Sequence, residues 1–109
     1  MQEQRERIVE EIRTAERAHD LLTELERRLK DKDRTELENH LTQLDRLAAS
    51  LPEGHIVRLL VEDATGYARA RGAGKAGSVA SRSRSKTEGR ISRLRGMLDR
   101  QDALASMDA

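Results

Sequence analysis

The sequence of 109 residues contains no cysteine, phenylalanine or tryptophan, and its only proline and tyrosine are Pro52 and Tyr67. The lack of cysteine excludes disulfides and thiolate-bound metal centres. The lack of large rings means that Leu, Ile, Val and Ala must fill the interior. No apolar run reaches the roughly 18 residues that a membrane span needs, and the N-terminus is too charged for a secretion signal. We therefore expect a cytoplasmic protein without a membrane span.

Charged residues are abundant in place of the missing aromatics. They make up 38% of the chain, against about a quarter in a typical domain. A short chain with few large apolar side chains buries a modest share of its surface, so its stability as a monomer is expected to be marginal. We predict a homo-oligomer, most simply a dimer that pools two apolar faces.

The apolar residues of the first seventy positions recur with helical spacing. From residue 2 to about 31 they form one stripe, which consists of Ile8, Ile12, Ala15, Ala18, Leu22, Leu25 and Leu29. A second helix is predicted from about 35 to 51, and Thr35 and Glu38 form a capping box at its start. The alternative is one continuous rod over residues 3–50. Pro52 separates the second helix from a third one at about 53–71.

The third helix contains the most hydrophobic window of the chain. Its apolar stripe is broad, so we predict that it forms the centre of the bundle or the interface to a second subunit or partner helix. The predicted interface residues are Ile56, Val57, Leu60, Val61, Ala64 and Tyr67.

After the third helix the composition changes to small and basic residues. Residues 72–86 are rich in Gly and Ser and have almost no bulk to bury, so they are predicted to form a basic linker or arm. The alternative is a loop that wraps over the bundle. A fourth helix is expected over residues 87–106 with a thinner apolar stripe, beginning at a possible capping box from Ser85 to Glu88. The predicted fold is all-α: an antiparallel three- to four-helix bundle with coiled-coil character, its body at 1–71.

The segment 67–95 is strongly cationic. It has nine basic residues against one acid, Glu88, a balance of +8, whereas the rest of the chain sums to −7. Such asymmetry favours an anionic partner, and Lys and Arg bind nucleic acid through its phosphates whatever the base sequence. The predicted nucleic-acid-binding residues are Arg69, Arg71, Lys75, Arg82, Arg84, Lys86, Arg90, Arg93 and Arg95.

Other interpretations of the cationic segment remain open. Its charges could instead pair with the acidic first and second helices, or with those of a neighbouring subunit. It could also meet an acidic protein or a membrane surface, although the segment lacks the large apolar residues of an interfacial helix. A helix-turn-helix with a recognition helix at 87–98 is a further option, although its preceding helix would be anchored only by Val79 and Ala80.

The sequence gives little support to catalysis. The run from Gly72 to Ser78 departs from a phosphate-binding loop, because Gly74 and Lys75 are followed by alanine. The three histidines are on separate segments without a metal-binding motif, and the acids at 62 and 63 point away from the apolar stripe. We expect no enzyme, cofactor, metal or small-molecule substrate. The predicted function is an accessory or regulatory factor that binds nucleic acid; the alternative is an adaptor that binds a partner protein.

Overall fold

The computed structural model describes residues 2–30, 34–71 and 73–107, and all of their side chains except those of residues 34, 71 and 73–75. The described residues form four helices, which confirms the predicted all-α bundle. They are α1 (Gln2–Lys30), α2 (Arg34–Ala49), α3 (Ile56–Arg71) and α4 (Ala73–Met107). Each helix packs on its neighbours in chain order, and α4 closes the ring against α1. None of the four, over the described residues, has the apolar length needed to cross a bilayer.

The stripes predicted for the first three helices form the core. Their aliphatic side chains pack together with two small residues of α4. The buried members are Ala15, Ala18, Leu21, Leu22, Leu25, Leu29, Leu41, Leu44, Ala48, Val57, Val61, Ala64, Ala68, Ala76 and Ala80. The helix α2 lies beside α1, where its buried His40 donates a hydrogen bond to the carbonyl oxygen of Leu21 (2.6 Å). The helices α1 and α2 therefore pack side by side and do not form the single rod considered for residues 3–50.

The connection between α2 and α3 is a tight turn after Pro52. The amide of His55 donates to the Pro52 carbonyl oxygen (3.1 Å), and Gly54 adopts a φ of 82°, a conformation that side chains with a Cβ disfavour. The ring of His55 then caps α3, because its Nδ1 accepts the amide hydrogen of Val57 (3.1 Å). The third helix thus begins at Ile56, three residues later than predicted.

The largest difference from the sequence prediction concerns residues 72–86, which were expected to form a linker. Gly72 lies outside the described residues, but from Ala73 onward this segment is the first part of α4. The helix continues without a break through Ser85 and Thr87, so no capping box exists there. Instead the Thr87 hydroxyl donates to the carbonyl oxygen of Arg84 (2.6 Å) within the helix.

Small residues at helical spacing explain why α4 extends so far. Four side chains at positions 76, 80, 83 and 87 are buried, and none of them is a large hydrophobe: Ala76, Ala80, Ser83 and Thr87. They allow α4 to approach the neighbouring helices closely. Tertiary packing therefore outweighs the weak helix propensity of the surrounding Gly and Ser.

The two longest helices continue past the others and form a second, smaller core. Here Ile8 and Ile12 of α1 pack on Leu94 and Leu98 of α4, without side chains from α2 or α3. We call residues 2–12 and 94–107 the two-helix end. It gives the molecule an elongated form of 57 × 21 × 20 Å.

The glycine at position 77 tests whether residues 73–86 are helical. A Cβ built on Gly77 meets no atom within 4 Å, and its φ is not positive. We expect Gly77→Ala to raise the free energy of unfolding by about 0.5–1 kcal/mol, because glycine is a poor helix former. The measurement is urea denaturation followed by circular dichroism.

The matched control is Gly54→Ala, which we expect to destabilise the protein by about 1 kcal/mol because of the positive φ at that position. A Gly77→Ala variant that gains no stability, while Gly54→Ala loses it, would contradict the helical assignment.

Candidate nucleic-acid interface

Four of the nine predicted nucleic-acid-binding residues are engaged by carboxylates of the same chain. Arg69 pairs with Asp45 on α2 (3.0 Å to Oδ1). The other three, all on α4, pair with glutamates of α1: Arg84 with Glu26 (2.6 Å), Arg90 with Glu11 (2.9 Å) and Arg95 with Glu16 (3.1 Å). These four cations match the intramolecular alternative, in which carboxylates of the same chain pair with the cationic segment. The side chains of Arg71 and Lys75 lie outside the described part of the chain.

The antiparallel register of α1 and α4 decides these pairings. Contacts run from Arg5 with Asp102 (3.1 Å) at one end to Glu26 with Arg84 at the other. Between them His19 donates to Glu88 (2.8 Å), the one acid of the cationic segment. Most of these groups are partly exposed, so each pair contributes only modestly to stability and to the preference for this rotation of α4.

Three predicted cations remain on the outside of the bundle. Arg82, Lys86 and Arg93 are exposed, and none lies within ion-pair distance of a described carboxylate. Spacings of four and seven residues place them on one side of α4 over about 16 Å. We call these three residues the cationic stripe. Arg100, seven residues further, extends the same line, but it lies outside the cationic segment 67–95 and was not among the predicted residues.

Small uncharged residues line one edge of the cationic stripe, away from Arg90. Ser85, Gly89 and Ser92 are exposed between its members. No ion pair joins the stripe to Glu88, which faces α1, or to Asp99 and Asp102, the other described acids of α4. The stripe is therefore a positive surface that a phosphate chain can approach without displacing a carboxylate, and its serine hydroxyls are additional donors.

Hydrogen bonds and charges change the pKa values of groups on the α1–α4 side. A hydrogen bond to Glu26 is the main cause that raises the pKa of Arg84. A hydrogen bond from His19, helped by the charge of Arg84, lowers the pKa of Glu88 despite an opposing effect of burial. The Glu88 carboxylate and the Arg84 guanidinium therefore remain charged near neutral pH.

Glu11 joins three parts of the fold. It accepts hydrogen bonds from Arg90 of α4 and from the Nε2 atom of His55, whose Nδ1 caps α3. Partial burial alone would raise the pKa of Glu11, but the hydrogen bonds from Arg90 and His55 outweigh it and keep the pKa below its ordinary value. Arg90 is thus a structural residue, although its Nε is buried without an acceptor among the described residues.

The predicted oligomer interface divides into two sets. Val57, Leu60, Val61 and Ala64 lie buried in the chain's own interior, so they cannot contact a partner without unfolding α3. Ile56 and Tyr67 are on the outer face. Leu59, which was not among the predicted interface residues, is also there, and these three are between 41% and 49% exposed.

The other residues considered for chemistry have structural positions. Each histidine has a partner within the bundle: Glu88 for His19, the Leu21 carbonyl oxygen for His40, and Glu11 for His55. The described residues hold no group of three or more His, Asp or Glu side chains arranged to bind a metal ion. The two acids at positions 62 and 63 are exposed on α3.

The lowered pKa of Glu11 has a direct consequence for stability. A folded-state pKa below the ordinary value of about 4.3 stabilises the fold above that pH, and the contribution is lost as pH falls through the lowered value. We expect Glu11→Gln to reduce the free energy of unfolding by about 1–2 kcal/mol at neutral pH, since it weakens two charge-assisted hydrogen bonds.

The measurement is chemical denaturation of both proteins at several pH values. The difference between them should shrink as the pH falls through the lowered pKa of Glu11, where the native carboxylate also becomes protonated. Glu10→Gln is the control. Glu10 is exposed, and its contact with Arg13, at 4.0 Å, is long for an ion pair. A difference that stays constant with pH would contradict the role given to Glu11.

Comparisons of the chain with protein-family models, with curated proteins and with solved structures gave no match. A functional assignment therefore rests on the residues themselves. The distinguishing observation is the contrast between the two sides of α4, one neutralised by α1 and one left positive.

Proposed function

We propose that this protein is a non-enzymatic accessory factor that binds nucleic acid through the cationic stripe of α4. The observation that supports the proposal is the position of Arg82, Lys86 and Arg93, which are exposed in a line without a described carboxylate partner. The proposed surface is narrower than the nine residues predicted from the sequence. An arginine that already donates to a carboxylate gains little by exchanging it for a phosphate.

The chemistry of the stripe favours contact with the sugar–phosphate backbone. Duplex DNA presents one negative charge per about 1.7 Å of its axis, so a stripe of about 16 Å faces several phosphates. The described part of α4 has no aromatic side chain on which a base could stack. We therefore propose binding that depends on charge, with little preference for base sequence.

A second candidate function is association through the outer face of α3. Ile56, Leu59 and Tyr67 expose apolar surface on one side of this helix, and the deeper apolar residues beneath them keep the helix in place. This arrangement supports a homodimer in which the α3 helices of two copies face each other. This dimer interface keeps Ile56 and Tyr67 from the interface predicted from the sequence. It has Leu59 in place of the predicted residues that are buried.

The nucleic-acid proposal is tested by the triple variant Arg82→Gln, Lys86→Gln, Arg93→Gln. We expect the native protein to bind a short duplex of mixed sequence with a log–log salt slope of about −3, because each phosphate contact contributes about −0.9. The variant should lose this slope and at least about tenfold of its affinity at about 50 mM salt. Fluorescence anisotropy of a labelled duplex measures both quantities.

The control for the cationic stripe removes the same total charge elsewhere. Arg7, Arg17 and Arg46 are exposed on α1 and α2, and no ion pair is found for them among the described residues. Changing these three to Gln should leave the slope nearly unchanged. Equal losses in the two triple variants, or no binding by the native protein at low salt, would refute the proposed site.

The second candidate is tested by Leu59→Glu and sedimentation equilibrium. Leu59 is about half exposed, so the change should alter the free energy of unfolding by no more than about 0.5 kcal/mol, while a dimer should dissociate into monomers. Leu60→Glu is a useful contrast, because it places a charge in the core and should unfold the chain. A native protein that sediments as a monomer rules out this candidate.

A further inference from the structure

The outer side of α4 changes character beyond the cationic stripe. From Arg93 onward, residues at spacings of four and three alternate between basic and apolar side chains on the same side of the helix. We call this set the basic–apolar seam, and it consists of Arg93, Met97, Arg100, Leu104 and Met107. Its apolar members are exposed by 37%, 62% and 81% in that order, and the seam is about 21 Å long.

The seam is firmly held in helical form by the opposite side of α4. Leu94 and Leu98 pack on Ile8 and Ile12 in the two-helix end, and Asp102 pairs with Arg5. The exposed apolar side chains therefore stand on a helix that is already formed. A ligand that covers them does not have to order this segment, which lowers the cost of binding.

The charges of the seam decide what can cover it. Neither Arg93 nor Arg100 forms an ion pair with a described carboxylate, and Asp102 lies about 200° around the helix from Arg100. A second copy placed seam to seam would bring like charges together. A nucleic acid would neutralise the arginines but would leave the three apolar side chains without an apolar environment.

An anionic lipid surface satisfies both kinds of residue. Its phosphates can accept hydrogen bonds from guanidinium groups, while the acyl boundary accepts apolar side chains from a helix that lies parallel to the membrane plane. We propose that the basic–apolar seam binds the surface of an anionic bilayer, with Met97, Leu104 and Met107 inserted between headgroups and Arg93 and Arg100 at the lipid phosphates.

This site shares the phosphate chemistry of the proposed nucleic-acid surface but depends on different residues. Only Arg93 belongs to both, at the point where they meet. The apolar side chains distinguish the two ligands, because burying them contributes to lipid binding and not to an electrostatic contact with a duplex. The membrane proposal therefore stands or fails independently of the nucleic-acid proposal.

The test uses the full chain and sedimentation with two kinds of vesicle: phosphatidylcholine alone, and equal parts of phosphatidylcholine and phosphatidylglycerol. We expect the protein to partition onto the anionic vesicles only. The variant Met97→Gln, Leu104→Gln, Met107→Gln should lose at least about tenfold in partitioning because it removes the inserted apolar surface. Its binding to a DNA duplex should be unchanged.

Two controls separate the seam from general effects of charge and of helix-end substitution. Arg100→Gln should weaken partitioning about fivefold, the change expected for one basic residue near an anionic surface, whereas Arg17→Gln removes the same charge from α1 and should have no effect. Ala103→Gln with Ser106→Gln changes exposed positions in the same turns outside the seam and should also have none.

Three results would overturn the proposal. The first is a native protein that stays in solution with anionic vesicles. That result would favour an acidic protein as the ligand of the seam. The second is equal partitioning onto both kinds of vesicle. The third is a loss in the Ala103 and Ser106 control as large as in the apolar variant. Circular dichroism on every variant checks that the helices remain formed.

Discussion

The close contact of α4 with the rest of the bundle depends on small side chains. Ala76, Ala80, Ser83 and Thr87 face inward at helical spacing, and their size sets both the position and the rotation of the helix. Because residues two positions apart lie about 200° apart around a helix, this rotation turns Arg84 toward α1 and Arg82 toward solvent. The identity of the free cations thus follows from which small residues are buried.

The acidic residues of α1 complement this rotation. Glu16 and Glu26 meet arginines along one margin of α4, and Glu11 meets Arg90 along the other. Glu11 also holds His55 at the start of α3, so the turn after Pro52 and the register of α4 share one carboxylate. The part of the positive charge that is neutralised inside the molecule therefore serves the fold, and the remainder stays on one exposed side.

The sequence was sufficient to predict the helices whose buried stripes consist of Leu, Ile and Val. The stripe of α1 and the break at Pro52 were both predictable, because large aliphatic residues and proline give strong local signals. The first half of α4 was not predictable in this way, because Gly and Ser are typical of linkers and the buried residues of this half are Ala, Ser and Thr. A search for small residues at spacings of four and three would have indicated the helix.

The candidate sites were harder to predict, because ion pairing depends on rotation and register, which composition does not determine. The net charge of residues 67–95 was a correct count, but it could not separate Arg82 from Arg84. Likewise the apolar stripe of α3 could equally have faced a partner or the chain's own core. Helix α4 extended the bundle and covered that stripe, which left Ile56, Leu59 and Tyr67 at its edge.

The outer side of α4 is poorly arranged for stability alone, and this supports a role in binding. Arg82 and Lys86 form a like-charge pair four residues apart, which costs a few tenths of a kcal/mol. Ser85, Gly89 and Ser92 lie beside them, where glutamates would provide both helix propensity and favourable pairs. A surface that lacks such acids repels itself slightly when free, and an anionic ligand removes that repulsion when it binds. The same argument does not apply to the α1 side of α4, where each cation already has its carboxylate.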